Sequence, residues 1–347
     1  MRLALITLLL ALCGCVHGGH APDPHADLDS AIAPAFSGDM PEVLTRLRSI
    51  ADSHLGASEQ QTRRCVLARF SEDPSANDTG AGAVPEAAER TLQAFRRYWT
   101  NQLLHQSNGH DADVALSIEL RAVTGLETLD TDAQVDAALD LIRSKGLHAL
   151  GGTTAPFREL MIWKDERSFP ETVLLPSGPI DVRVTLLDSF ESLGWAAWAT
   201  CDRSHTGGWT DKSGIKVVAP SYDLSGEAFR VSLLSHEAQH FRDGSVYPSL
   251  AQEDLEFRAK LIELIMARST QHQLLVNFHD EAVHDRLIPH GYASYWLLKR
   301  LAVQLGVDPL TADDQRVIAD GAMAVLAAHT AELDHANAQT VRSALPD

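Results

Sequence analysis

A mainly helical α+β fold is predicted for this chain by three features of its 347 residues. Apolar residues recur at helical spacing from about Pro41 to Leu150, the pattern shortens to alternation between Thr172 and Pro220, and helical spacing returns from Val231 onward. This order places an all-helical module at 35–149 ahead of a second domain at 150–347, in which a small sheet immediately precedes a helix carrying polar residues. The formal net charge of −18 argues against nucleic acid or an anionic membrane face as a partner.

The first twelve residues give one positive charge and then an apolar run of about ten residues, too short to cross a bilayer and of the form of a secretory signal. Leu12-Cys13-Gly14-Cys15 resembles the bacterial lipoprotein box. It implies cleavage after residue 14 and acylation of Cys15, since Cys13 follows the bulky Leu12. Val16, where an inner-membrane retention signal would have Asp, looks like outer-membrane sorting, so the expected location is the periplasmic side of a lipid-anchored cell envelope. A plain secretory signal with two incidental cysteines is the alternative. Residues 15–34, rich in Gly, His, Asp, Pro and Ala, read as a flexible tether.

Helices are expected at Pro41 to Ala51, at Pro85 to His105 with Leu92, Phe95, Trp99 and Leu103 on one stripe, and at Thr131 to Lys145. Asp130 or Thr131 can cap the last of these, and Gly146 lies just past its end. Ser71 to Val84 reads as a loop. After lipoprotein processing only Cys65 and Cys201 remain as free cysteines. In an oxidising compartment they can pair, joining the N-terminal half to the second domain, or they can stay two buried thiols.

Beyond Gly151, Thr172 to Leu187 reads as strand, turn and strand about Pro176 to Pro179, with Val182, Val184 and Leu186 alternating. Two further strands are expected at Leu193 to Cys201 and Gly207 to Pro220, the latter with an ordinary hairpin arm as its alternative. Helices follow at Leu250 to Leu264, Gln273 to Asp285 and Tyr292 to Leu305. Thr311 to Leu345 forms one or two more, with His329 and His335 expected to face solvent.

The chemistry concentrates in residues 231–244. Val231, Leu233, Leu234, Ala238 and Phe241 lie near helical spacing, so this segment reads as a helix with one face in a core. His236 and His240, four apart, then project from one side of it, with Glu237 one residue along. Two neutral imidazoles on a stiff helix can supply two of the three protein ligands of a catalytic zinc, and Glu237 is placed to take a proton from water. The alternative is two surface histidines flanking a solvated Glu. A closed structural zinc would need cysteines that are missing nearby.

The order of sheet, H-E-x-x-H helix and later Glu-bearing helix resembles the thermolysin-like gluzincin metallopeptidases over roughly Leu150 to Gln304. The resemblance implies a zincin-like domain, Zn2+ as cofactor, and an edge strand beside the metal that pairs with an extended peptide. It also implies a third ligand from the next helix, where Glu253 and Glu256 both qualify. Glu256 is favoured because the small Ala259 follows it by three, as in the family pattern. Where the family often has an acid four after the ligand to orient a zinc histidine, this chain has Lys260, leaving Asp243 or Asp254 for that task. The oxyanion donor is expected at His290, with Tyr292 and Tyr295 next.

The expected function is therefore a zinc-dependent peptidase of the bacterial envelope acting on a peptide or protein substrate, with Glu237 as general base. Two rivals stand beside it: an inactive zincin-like envelope binding or assembly lipoprotein, and a zinc amidase acting on cell-wall peptides. Oligomeric state is not readable from the sequence.

Overall fold

The computed structural model describes residues 28–71, 84–312 and 314–346. The expected signal segment, Cys15, most of the tether and most of the 71–84 loop lie outside the described residues. The protein is a mainly helical α+β chain with one five-stranded sheet among the described residues. No helix there is long and apolar enough to cross a membrane.

Two compact units emerge, one of Met1–Glu166 with Leu187–Thr206 and one of Arg167–Leu186 with Gly207–Asp347. A break was expected near residue 150, where helical periodicity gives way to alternation. Instead β2 (Phe157–Leu175) and β3 (Gly178–Leu193) form a hairpin so long that its base belongs to the first unit and its tip to the second. Packing sets the unit boundary, and a change of periodicity marks only a change of element.

In the first unit, α1 (Leu28–Ile32) is already folded, with Leu28 and Ile32 buried one turn apart, so the expected tether ends before residue 28 rather than at 34. Helices α2 (Met40–Ser49), α4 (Glu86–Leu103) and α6 (Thr131–Ser144) stand close to their expected spans. Leu92, Phe95, Trp99 and Leu103 form the buried stripe of α4. The Asp130 carboxylate caps α6 by accepting the Ala133 N–H at 2.9 Å. Helix α3 (Ala57–Arg69) was not anticipated because only Val66 of its thirteen residues is fully buried, which leaves no apolar stripe to read. Helix α5 (Gly109–Thr124) was also not anticipated. Its N-terminus is capped by Asn108, which accepts the Asp111 N–H at 3.0 Å.

Strand β1 (His148–Thr154) pairs antiparallel with the base of β2. The expected strand at Leu193 to Cys201 is instead a short helix, α7 (Trp195–Thr200). Gly194, at φ 96°, breaks the strand, and a Cβ there would sit 2.1 Å from Oε1 of Glu159, so only glycine fits. Cys65 and Cys201 form a disulfide. Both lie in the first unit, so the bridge closes that unit rather than joining it to the second.

In the second unit the expected single strand at Gly207 to Pro220 is a hairpin of β4 (Gly208–Asp211) and β5 (Gly214–Val218), with Gly208 opposite Val217. The sheet order β1-β2-β3-β5-β4 leaves β4 terminal. A π-helical segment, Phe229–Ser235, runs directly into α8 (His236–Val246). Then follow α9 (Gln252–Met266), α10 (Gln271–Glu281), α11 (Pro289–Leu305) and α12 (Gln315–His335).

Helix α9 is the centre of this unit, packed by α8, α11 and α12. Its Phe257, Leu261 and Leu264 enter a core shared with Val231, Leu233, Leu275 and Leu297. It is buried nearly all round although it carries Glu253, Asp254, Glu256, Arg258, Lys260 and Glu263. A helix so charged stays buried only where each charge meets a partner, and those partners build the site.

Candidate metal centre

The π-helical turn delivers the first histidine. The i→i+5 bonded winding at 229–235 goes with Ser235 Oγ on the Arg230 carbonyl at 2.9 Å, and α-helical winding resumes at His236. Such wide turns disrupt the regular ladder and occur often beside functional residues. From His236 the α-helical spacing carries His240 to the same side, with ring centroids 4.6 Å apart. Arg242, further along α8, donates to the carbonyls of Ser177, Gly178 and Pro179, so the motif helix is tied to the tip of the β2–β3 hairpin.

His236, His240 and Glu256, all buried, form a group able to hold a metal ion. Nε2 of His236 lies 3.0 Å from Nε2 of His240 and 3.4 Å from Oε2 of Glu256, and Nε2 of His240 lies 3.3 Å from Glu256 Oε1. Tetrahedral ligands about 2.0–2.1 Å from one ion stand about 3.3 Å apart, so three donor atoms already sit at coordination spacing. Both Glu256 oxygens are buried without a hydrogen-bond partner, although imidazole nitrogens lie 3.1 to 3.4 Å away. Orphaned buried acceptors at this spacing are what a cation would satisfy.

Electrostatics agree with that fit. Burial opposes ionisation of Glu256, yet the rings of His290, His240 and His236 outweigh it and hold the carboxyl well below its usual range. Burial likewise opposes charge on His236, but the carboxylates of Glu256 and Glu263 raise it to about 10. Nδ1 of His236 meets Glu263 Oε1 at 2.8 Å. A cation at Nε2 would take the place of the proton held there, while Nδ1–H goes on donating to Glu263.

Glu237 is buried beside the group. Thr210 on β4 donates to Glu237 Oε2 at 2.7 Å and to its main-chain carbonyl at 3.2 Å, while Oε1 has no partner. One oxygen is thus anchored by the terminal strand and the other is unspent.

Among the acids on α9, Glu253 is ion-paired with Arg286 at 2.7 Å, and Glu256 is the acid that meets the two histidines. The expected orienting acids are engaged elsewhere. Asp243 holds Arg258 at 2.8 Å, and Asp254 accepts from His329, Ser343 and the N–H groups of Ala344 and Leu345. Glu263 orients His236 instead. It sits seven residues, two full turns, past Glu256 on the same face, and that spacing was the available signal. Thr210 gave no signal in the sequence, because only the fold of the hairpin brings it to Glu237.

His290, at the first turn of α11, does come to the group, with Nδ1 3.1 Å from Glu256 Oε2 and Nε2 buried and unpartnered. Burial lowers its pKa, against the raising influence of the Glu256 carboxylate. Tyr292, the next expected donor, has its hydroxyl engaged elsewhere. It is buried, stacked on His284, and its hydroxyl donates to the Pro346 carbonyl. Tyr295 meets Lys299 through its hydroxyl and packs on His284 and Trp296. His329, expected to face solvent, is fully buried against Asp254, because α12 turns that face onto α9. His335 is exposed as expected.

Lys260, where the resembled family often has an acid, is buried and pairs with Glu281, which also accepts from Ser294 at 2.6 Å. Burial opposes its charge, but Glu281 and Glu263 keep it protonated and raise its pKa.

No protein-family model matches the chain, and no curated protein or solved structure matches it. The fold and the site therefore speak for themselves.

Proposed function

We propose that this protein is a zinc-dependent hydrolase, most simply a peptidase of the gluzincin kind, working at the bacterial cell envelope. The observation that carries the reading is the set of three buried donor atoms, His236 Nε2, His240 Nε2 and a Glu256 oxygen, at separations of 3.0 to 3.4 Å. Two His and one carboxylate are a donor set suited to catalytic zinc, with a coordination position left for water or substrate. A zinc ion held there supplies a Lewis acid that polarises a carbonyl and acidifies water.

The rest falls to the protein's own side chains. Glu237 Oε1, unpartnered while Thr210 fixes Oε2, takes the proton from the attacking water and returns it to the leaving amine. Glu263 holds the His236 ring in the tautomer that presents Nε2. His290, with Nδ1 towards Glu256 and Nε2 unpartnered, is the side chain that in its protonated form can donate from Nε2 to charge developing on the substrate oxygen. Strand β4, terminal in the sheet and joined to Glu237 through Thr210, is the element beside which an extended peptide would lie.

Envelope placement is supported by the signal-like N-terminus with Cys15, and by the Cys65–Cys201 disulfide, which belongs to an oxidising compartment. Metal analysis after zinc-replete expression tests the whole reading. About one equivalent of zinc is expected, lost in His240→Ala. Protein that folds fully yet binds no zinc would leave an envelope binding protein with a metal-free shell.

A further inference from the structure

The first unit contains a second built site, of opposite character. A cavity of about 220 Å³ is lined by Arg69, Arg96 and Trp198, with Leu92, Phe190 and Leu193 among its apolar walls. The guanidinium carbons of Arg69 and Arg96 lie 4.1 and 4.9 Å from the Trp198 ring centroid. Two like charges share one aromatic ring, in a chain whose net charge is −18.

Neither arginine has an acidic partner at ion-pair distance among the described residues. Arg69 donates to the main-chain carbonyl of Trp198 at 2.5 Å. Arg96 makes no hydrogen bond there, and its Nε is buried without an acceptor. The acids that line the cavity do not neutralise it: Glu191 is paired with Lys164 at 2.5 Å, and Asp202 is exposed. Burial and the neighbouring Arg96 charge both lower the pKa of Arg69, with Asp202 only partly compensating. Such an arrangement is unfavourable by itself and becomes favourable once an anion enters.

We propose that this cavity binds a small organic anion, its carboxylate received by Arg69 and Arg96 and its apolar body by Leu92, Phe190 and Leu193. The planar guanidinium matches a carboxylate in two-point contact, and Leu92, Phe190 and Leu193 give the otherwise polar lining an apolar part against which the body of an organic anion can rest. A cavity of about 220 Å³ can take a group of the size of a short fatty acid or an aromatic acid. Because the site lies wholly in the first unit, it does not depend on the zinc reading.

Calorimetric titration of the full chain with hexanoate, benzoate and inorganic phosphate tests it. Saturable binding of at least one carboxylate is expected, several-fold tighter than phosphate and weakened at least tenfold in Arg96→Gln. Since Arg96 makes no hydrogen bond among the described residues, that variant should keep its far-ultraviolet circular dichroism. Should it fail to fold, Arg96→Lys, which keeps the charge and loses the fork, is expected to bind carboxylate more weakly than the parent. The proposal is overturned by the absence of saturable carboxylate binding, by unchanged affinity in the folded Arg96 variant, or by phosphate binding as tightly as the organic acids.

Discussion

Each unit buries a glutamate on its own terms, and the contrast shows what makes a buried carboxyl useful. In the second unit Glu256 is ringed by imidazoles that hold it ionised, with both oxygens lacking hydrogen-bond partners. In the first, Glu159 is equally buried but meets no cation. Its Oε1 accepts the N–H groups of Leu160 and Trp195 at 3.0 Å each, and burial lifts its pKa to about 7. One carboxyl is kept charged among imidazoles; the other is pushed towards its protonated form and joins β2 to the start of α7. Burial is common to both, and the neighbours decide the chemistry.

The largest effect that can break this comparison is at Glu237. Glu237→Gln keeps the shape and the Thr210 contact but cannot accept a proton, so peptide turnover is expected to fall by about 10²–10⁴-fold with zinc content unchanged. Full activity in that variant would remove the general-base role.

Glu159 tests the other half. The folded chain keeps its proton up to about pH 7, whereas the unfolded chain releases it near the ordinary value of 4.5. Its contribution to stability is therefore fully present below about pH 4.5 and is lost as pH rises through 7, a loss of about 3 kcal/mol. Glu159→Gln should flatten the fall in urea midpoint between pH 5 and 7.5. An identical slope in the parent and the variant would mean that Glu159 is already ionised in the fold.

Glu263→Gln sharpens the picture of the charged site. Losing the carboxylate at His236 Nδ1 is expected to weaken zinc binding about 10–100-fold, measured by chelator competition, while leaving the helix in place. Asp243→Asn, an acid engaged with Arg258 rather than with a ligand, should leave zinc affinity unchanged and show its effect only in stability. The smallest effect is expected at Tyr292. Removing its hydroxyl in Tyr292→Phe forfeits the bond to Pro346, about 1 kcal/mol of stability, with no change in turnover; a marked fall in turnover without loss of zinc would restore Tyr292 to the site.

Where local spacing carries the information, the sequence could be read directly. The pairing of His236 with His240 follows from helical geometry, as do the α4 stripe and the Asp130 cap of α6. Glu256 and not Glu253 lies with His236 and His240, although the preference for it came from a family pattern and not from the residues alone. Helix α3 and the true end of the tether were missed because a mostly polar helix and a single apolar pair give little periodicity. The strand expected at Leu193 to Cys201 failed because Gly194 needs a positive φ for a contact with Glu159, a residue 35 positions earlier in the chain.

By itself, then, the sequence determined the class of fold, the motif helix and the identity of two metal-competent histidines, since these depend on residues within a turn or two of one another. Tertiary structure alone decided that Glu263 and not Asp243 or Asp254 orients His236, that Thr210 anchors Glu237, that Tyr292 is spent on Pro346, and that Arg69 and Arg96 face a common ring. Each of these depends on which distant side chain shares a buried space. In such a space the free energy of a charge is set by its nearest partners, however far away in the chain they lie.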